Sequence, residues 1–239
     1  MVPAYDEVGR IGASVSRILA FLAAKPYRSE VIVVLDGGRP GASDELARAA
    51  SVGAAGTEVV VLDNVRNRGK GYSVRRGVGV SRGRYIVFAD ADLSLPIEDA
   101  DRFLARLESG ADLAIGSRAV VGAEERGTRQ PLRRVMSRVF NVLVRAAAVP
   151  GIRDTQCGFK AFRGDVARAL FAVQRIDGFG FDVEVLRIAQ QRGCRIVEVP
   201  VTCEYHPTSS VRHVKHAATM VGDLARIVWH DRRGDYRAP

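Results

Sequence analysis

The chain has 239 residues, enough for one large α/β domain or two small ones, and its hydrophobic fraction of 47% is ordinary for a globular protein. Its formal net charge of +9 predicts a polyanionic partner such as phosphates, nucleic acid or an acidic membrane surface, unless the charge reflects only an arginine-rich proteome. The three cysteines are unevenly spaced, and neither a membrane-spanning apolar run nor a signal peptide is visible, so a reducing, cytosolic setting is predicted.

The first half of the sequence alternates between Val/Ile-rich runs and amphipathic patterns. The predicted elements are strands ending near 4 and covering 30–35, 58–62 and 85–89, and helices over 11–22, from 43 and over 72–80. This alternation is typical of a parallel sheet with right-handed crossovers. In such a sheet, ligands bind beyond the carboxyl ends of the strands.

The second half of the sequence is less regular. Its predicted elements are strands over 112–118 and 195–201, a mobile loop over 120–131, an amphipathic helix with one basic face over 132–149, an extended stretch near 152–162, and helices over 178–191 and 216–229. The basic helix either lies on an anionic membrane surface or packs its apolar stripe on the sheet, and both interpretations are kept.

Charged side chains gather where the predicted strands end. Asp90 and Asp92 follow the strand over 85–89 at a spacing of two, and Asp36 and Lys70 follow the second and third strands. Two carboxylates at the end of a buried strand need a cation or hydrogen bonds, and oxygen ligands of this kind suit Mg²⁺ or Mn²⁺. The alternative is a strand that is simply followed by an acidic helix start.

A series of short motifs covers most of the chain. In order they are Pro3–Glu7, Leu35–Gly38, Arg68–Gly71, Asp90–Pro96, Gly116–Arg118, Arg153–Lys160, Gly178–Glu184 and Glu198–Val201. In these motifs the chain resembles the family 2 inverting glycosyltransferases of the GT-A fold, and within them the dolichyl- and polyprenyl-phosphate β-glucosyltransferases. The form Asp-Thr-Gln-Cys-Gly-Phe-Lys, at 154–160, favours this group over the mannosyl-phosphate-dolichol synthases.

The resemblance implies a fold and a reaction. The fold would be a Rossmann-like, mainly parallel central sheet with helices on both faces, forming one domain over 1–239 with a nucleotide-sugar half (1–112) and an acceptor half (113–239). The reaction would be the metal-dependent, inverting transfer of a hexose from a nucleotide-diphosphate sugar to a polyprenyl or dolichyl phosphate, with glucose and UDP favoured. The protein would act peripherally at the cytoplasmic face of an anionic membrane and would not bind nucleic acid.

The resemblance also implies roles for particular residues. The catalytic set is Asp92, Asp182, Glu184 and Arg118, and Asp90 and Asp92 would hold Mg²⁺ or Mn²⁺. The nucleotide-sugar set is Pro3, Ala4, Tyr5, Glu7, Asp36, Lys70, Asp90, Ala91, Asp92 and Gln156. The acceptor-phosphate set is Arg118, Arg133, Ser137 and Arg212, since the arginine fork grips phosphate oxygens in bidentate fashion.

Several alternatives remain open at this stage. Leu35 stands where the family has a first acid, and Arg39 and Pro40 replace the usual residues after the glycine pair, which puts the nucleotide base in question. Transfer to a soluble hydroxyl or phosphate acceptor would make Asp182 or Glu184 an essential base, and mannosyl transfer from GDP-mannose is a further alternative. A sugar nucleotidyltransferase is a third alternative, but this sequence has no Gly-rich phosphate loop after its first strand. Nucleic-acid binding is a fourth, and only the net charge supports it.

Overall fold

The structure is a computed structural model, and it describes residues 1–37, 40–51, 56–126, 142, 144–145, 147–204 and 213–237, without the side chains of 125–126, 204 and 213–218. Its strands are β1 Val2–Ala4, β2 Ser29–Leu35, β3 Thr57–Asp63, β4 Tyr85–Ala89, β5 Leu113–Ser117, β6 Glu124–Arg126, β7 Phe159–Arg163, β8 Ile196–Pro200 and β9 Thr202–Glu204. Its helices are α1 Ile11–Ala23, α2 Ala42–Ser51, α3 Lys70–Val80, α4 Ala100–Glu108, α5 Gly164–Val173, α6 Phe181–Gln191 and α7 His213–Arg233, with a 3₁₀ turn at Ile97–Asp99.

The central sheet is built from two hydrogen-bonded groups of strands that meet at β1 and β4. The strand orders are β3-β2-β1 and β4-β7-β5-β8, and β1, β2 and β3 are parallel to one another. The amino group of Met1 donates to the carbonyl of Val87 at 2.8 Å, and the amide of Ala89 donates to the carbonyl of Met1 at 3.1 Å. This is the pattern of a parallel ladder, so the two groups form one continuous surface.

Strand β7 is the exception to the parallel arrangement, because it runs antiparallel to both β4 and β5. In register, Lys160 lies opposite Phe88 of β4 and Ile115 of β5. The amino end of β7 therefore reaches the same edge of the sheet as the carboxyl ends of its neighbours. Only the last part of the stretch predicted near 152–162 forms this inserted strand, and the residues before Phe159 are bends and loop.

Helices cover both faces of the sheet, which confirms the predicted α/β architecture. One core packs α1, α2 and α4 on one face, with Ile11, Leu46 and Phe103 among its fully buried side chains. The other core packs α3, α5, α6 and α7 on the opposite face around Phe88 and Leu186. The period of apolar residues along each helix dictates which stripe it buries.

Three details differ from the sequence predictions. Helix α3 begins at Lys70 rather than at 72, so the lysine is part of the first helical turn. The predicted loop over 120–131 contains the short strand β6, which pairs in parallel with β9. Helix α5 was not predicted, although Ala167, Leu170 and Phe171 give it a buried stripe. Most of the basic helix predicted over 132–149 lies outside the described residues.

Candidate active site

The carboxyl edge of the parallel strands brings together oppositely charged side chains from distant parts of the chain. Asp90 and Asp92 follow β4, Lys70 begins α3, Lys160 lies in β7, and Asp182 lies in the first turn of α6. Lys160 and Asp182 are almost completely buried, while Asp92 is exposed. The cluster therefore runs from the interior of the protein out to solvent.

The carboxylate of Asp90 is held between a lysine and a glycine. Its Oδ1 lies 2.7 Å from the Nζ of Lys70. Its Oδ2 lies against Gly158, where an added Cβ would come within 1.9 Å of that oxygen. The amide of Asp90 also donates to the carbonyl of Gly158 at 3.1 Å. A side chain at position 158 would therefore displace the carboxylate of Asp90, which accounts for the glycine directly before β7.

A second ion pair lies beneath the first. The Nζ of Lys160 donates to Asp182 Oδ1 at 2.5 Å and to the carbonyl of Cys157 at 2.6 Å. Burial raises the pKa of Asp182, and the ammonium groups of Lys160 and Lys70 oppose that shift. Burial lowers the pKa of Lys70, but Asp90 and Asp182 outweigh burial and the net shift is upward. Asp182 therefore interacts electrostatically with both lysines, and Lys70 interacts with both Asp90 and Asp182.

Sequence analysis assigned no role to Lys160. The sequence did contain an indication of its role, because Lys160 lies between Phe159 and Phe162 in a strand that is buried on both faces. A lysine in such a place requires a carboxylate partner.

Two glycines explain how Lys70 comes so close to Asp182. An added Cβ on Gly69 would lie 2.4 Å from the carbonyl oxygen of Asp177, and one on Gly71 would lie 2.4 Å from that of Ile176. Gly69 also has a φ of +101°, which an L side chain rarely adopts. The Gly-Lys-Gly motif therefore packs its backbone directly on the segment that leads into α6.

The carboxylates near the surface form a set that suits a hard divalent ion. Asp92 accepts a hydrogen bond from the amide of Ser94 at 3.0 Å. Burial raises the pKa of Glu7, and the charges of Asp92 and Asp90 raise it further. The guanidinium of Arg10, whose Nη2 lies 3.0 Å from Glu7 Oε2, opposes this rise. Within the described ranges, no group of three or more His, Cys, Asp or Glu side chains is arranged to hold a metal. Two carboxylates alone fit Mg²⁺ or Mn²⁺ that takes its other ligands from water and phosphate.

Asp36 organises the loop that leads to Lys70. It is 3% exposed, and its oxygens accept hydrogen bonds from the side chain of Asn64 at 2.7 Å and from the amides of Arg68 and Gly69 at 2.8 Å. These bonds occupy most of its acceptor capacity. Asp36 therefore has a turn role in the structure, and its contact with a nucleoside stays a prediction.

Arg118 is oriented by a buried carboxylate. Its Nε and Nη2 donate to the two oxygens of Asp154 at 2.7 and 2.9 Å, and its amide donates to Oδ2 at 3.0 Å. Burial raises the pKa of Asp154, but its hydrogen bonds with Arg118 produce a net lowering. Beside this pair, the Nε2 of Gln156 is buried and has no hydrogen-bond partner among the residues that the structure describes.

The structure separates Glu184 from this edge. Glu184 is 0% exposed and accepts hydrogen bonds from the amides of Arg175 and Ile176 at 2.9 and 2.8 Å and from the hydroxyl of Tyr236 at 2.8 Å. Residues two apart on a helix do not face the same way, so Asp182 and Glu184 point to different neighbours. This geometry corrects the prediction that both act in the site, and it gives Glu184 a structural role.

The remaining predicted residues fall into two groups. Pro3 and Ala4 are buried in β1, Ala91 is buried and accepts from the hydroxyl of Ser14 at 2.6 Å, and Tyr5 is 55% exposed beyond the end of β1. Tyr5 is therefore open to solvent rather than packed in the core. The acceptor residues Arg133, Ser137 and Arg212 lie outside the described residues, so their placement stays a prediction.

A cavity of about 1030 Å³ opens at the opposite edge of the sheet. It is lined by the amino ends of the strands, including Ser29, Thr57 and Tyr85. Three of its charged side chains pair with one another near the surface, where Arg82 contacts Glu30 and Glu58. We therefore place the candidate site by its buried, convergent charges rather than by cavity volume.

The fold and the site define an α/β glycosyltransferase. The family model described as "Glycosyl transferase family 2" matches residues 1–171, and the chain belongs to that family. A dolichyl-phosphate beta-glucosyltransferase of Trichomonas vaginalis is 32% identical over 244 residues, which cover 98% of this chain and 71% of that protein. The Drosophila melanogaster protein of the same name is 38% identical over 212 residues, which cover 84% of this chain and 65% of that protein.

Solved structures share the fold. Glucosyl-3-phosphoglycerate synthase from Mycobacterium tuberculosis, crystallised with Mn²⁺, UDP and glucosyl-3-phosphoglycerate, matches with a TM-score of 0.69 and 16% identity. The match covers 95% of this chain and 78% of that chain. The predicted fold and enzyme class are thus confirmed. Among the helices that the structure describes, none has the length and apolar character needed to cross a bilayer.

Substituting Gly158 by alanine is expected to lower glycosyl transfer about 100-fold, because a Cβ at 1.9 Å from Asp90 Oδ2 forces that carboxylate to move by about 1 Å or more. Steady-state transfer rates measure the effect. The matched control is Gly79→Ala in α3, where an added Cβ meets nothing within 4 Å. Gly79→Ala should keep full activity and raise the unfolding free energy by about 0.5–1 kcal/mol. Equal activity of the two variants would contradict the tight fit at Gly158.

Proposed function

We propose that this chain transfers glucose, with inversion of the anomeric carbon, from UDP-glucose to the phosphate of a polyprenol or dolichol. The observation that carries the proposal is a cluster of carboxylates and lysines at the carboxyl edge of the sheet, in which Lys70 pairs with Asp90 next to Asp92 and Lys160 pairs with Asp182. The names of relatives that are 32% and 38% identical support glucose and a lipid phosphate as the substrates.

In the proposed reaction, an oxygen of the acceptor phosphate forms a bond to the anomeric carbon. The bond from that carbon to the β-phosphate oxygen of the donor breaks, and UDP leaves with the electron pair. The acceptor needs no strong general base, because a phosphate monoester has a second pKa of about 6 and is anionic at neutral pH. The protein has instead to bring two anions together and stabilise the charge on the departing diphosphate.

Side chains of the cluster suit this task. Asp90 and Asp92 would hold Mg²⁺ or Mn²⁺, which, when bound, supplies Lewis-acid stabilisation of the diphosphate. Lys70 adds a cation next to them, and its flanking glycines fix the backbone from which it reaches the donor. Lys160 opposes the upward shift that burial gives the pKa of Asp182, and its hydrogen bond holds that carboxylate in place.

The acceptor phosphate is proposed to bind at Arg118. Asp154 holds one side of the guanidinium in a bidentate arrangement, which fixes its plane for recognition of phosphate oxygens. Arg133, Ser137 and Arg212 are proposed to complete this subsite. The lipid tail and the net charge of +9 favour peripheral contact with an anionic membrane at its cytoplasmic face.

The test is a transfer assay with the purified chain in detergent. UDP-glucose and GDP-mannose would each be offered with polyprenyl phosphate, with 3-phosphoglycerate or with no acceptor, in Mn²⁺ or in EDTA. We expect glucose on the lipid phosphate only with UDP-glucose, polyprenyl phosphate and metal, and a β-anomer by NMR. Transfer to the soluble phosphate alone, transfer from GDP-mannose, or equal rates in EDTA would each contradict the corresponding part of the proposal.

A further inference from the structure

We infer that Lys70 competes with the divalent ion for Asp90, and that its release from Asp90 couples metal binding to donor binding. This inference rests on the proposed function, and it concerns how Lys70 regulates the same site. It would make Lys70 a residue with two successive partners, first the carboxylate of Asp90 and then the diphosphate of the donor.

The ammonium of Lys70 is in direct contact with Asp90. The Nζ of Lys70 lies 2.7 Å from Asp90 Oδ1, which is the distance of a direct, charge-assisted hydrogen bond. The other oxygen of Asp90 is confined by Gly158. A divalent ion that bound Asp90 through Oδ1 would therefore compete with the ammonium for that oxygen, because two cations at such close range repel each other.

The side chain of Lys70 can rotate although its backbone is held in place. The backbone on both sides of Lys70 is fixed, since Gly69 and Gly71 pack against the carbonyl oxygens of Asp177 and Ile176. The four-carbon stem of lysine is flexible, so a change of partner requires rotation of the side chain alone.

Aromatic rings surround the ammonium of Lys70. The Nζ lies 5.2 Å from the ring centroid of Phe88 and 5.8 Å from that of Phe179, which is 38% exposed. The side chain of Lys70 is 18% exposed. A lysine displaced from Asp90 in so dry a place needs another anion, and Asp182 is already paired with Lys160 at 2.5 Å. A donor diphosphate supplies that anion, so each ligand favours the binding of the other.

The first experiment measures Mn²⁺ affinity by calorimetry, with and without UDP, in wild-type protein and in Lys70→Met. Methionine keeps the length of the stem and suits the two aromatic rings. We expect Lys70→Met to bind Mn²⁺ about tenfold more tightly without UDP, and UDP to improve that affinity about tenfold less than it does in wild type. The matched control is Lys25→Met, which removes the same charge from a lysine that is 19% exposed and pairs with Asp101.

A second experiment follows Lys70 directly in wild-type protein. Mass spectrometry would compare the rate at which an amine-acylating reagent modifies Lys70 and Lys25. We expect Mn²⁺ to increase modification of Lys70 but not of Lys25, and UDP added with Mn²⁺ to protect Lys70 again.

Either of two results would overturn the inference while leaving the proposed function intact. One is a Lys70→Met protein that binds Mn²⁺ without UDP no more tightly than Lys25→Met does. The other is modification of Lys70 that Mn²⁺ does not change. Absence of Mn²⁺ binding to wild-type protein, even with UDP, would overturn both the inference and the metal-dependent reaction.

Discussion

Replacing Asp92 by asparagine is expected to lower glucosyl transfer about 10³-fold while leaving the fold intact, because one anionic ligand for the divalent ion is lost. Asp92 is exposed, and its Oδ1 accepts a hydrogen bond from the amide of Ser94 at 3.0 Å. The side-chain oxygen of an asparagine can accept the same hydrogen bond. The local turn should therefore persist. Initial rates of sugar transfer and thermal unfolding, measured side by side, separate the two effects.

The control for this substitution is Asp101→Asn. Asp101 is an exposed acid of α4 that pairs with Lys25 away from the candidate site. It should keep wild-type transfer rates, and UDP with Mn²⁺ should raise its unfolding temperature as in wild type, since a ligand that binds only the native state stabilises it by mass action. Asp92→Asn should lose that Mn²⁺-dependent stabilisation. Full activity of Asp92→Asn would rule out our assignment of the metal ligands.

Replacing Lys160 by methionine is expected to lower the unfolding free energy by about 3–5 kcal/mol, because it leaves the carboxylate of Asp182 buried and without its partner. Chemical denaturation at several pH values measures the loss. With Lys160 gone, the pKa of Asp182 rises further in the folded state. The folded state then binds more protons than the unfolded state, so stability falls as the pH rises above the ordinary pKa of an aspartate.

Two companion variants sharpen this prediction. The double variant Lys160→Met with Asp182→Leu should recover most of the lost stability and abolish its pH dependence, since it removes the buried charge altogether. Lys25→Met leaves behind an aspartate, Asp101, that is 53% exposed to solvent, and it should cost about 0–1 kcal/mol. If Lys160→Met proved as stable as Lys25→Met, or if the double variant were no better than the single one, the buried pair would not have the role assigned here.

The sequence was informative wherever a local pattern determines local structure. The Val/Ile run that ends at Ala89 predicts β4 with the bounds that the structure shows, and the same logic places Asp90 and Asp92 at the functional edge. The antiparallel direction of β7 has no comparable signal, because an extended stretch can pair in either direction and tertiary packing decides between them. Residues 159–163 were therefore predicted only as extended.

Side-chain partners were harder to predict than strands. Lys160 and Asp182 are 22 residues apart, and Asp36 contacts amides 32 and 33 residues further along the chain. Such contacts exist only after the sheet and α6 have assembled. For Glu184 the spacing itself held the answer, since a residue two positions after Asp182 on a helix faces elsewhere. The family resemblance had grouped the two together.

The insertion of β7 between β4 and β5 has a consequence for how the protein is made. During synthesis, β4 leaves the ribosome some 70 residues before Phe159–Arg163, the segment that must settle beside it. Until then, an apolar edge with unpaired amides stays open to wrong partners. We therefore expect the nascent chain to bind a chaperone at this stage. We also expect a protein divided near residue 112 to fold poorly, because β4 and β7 would then lie on separate fragments.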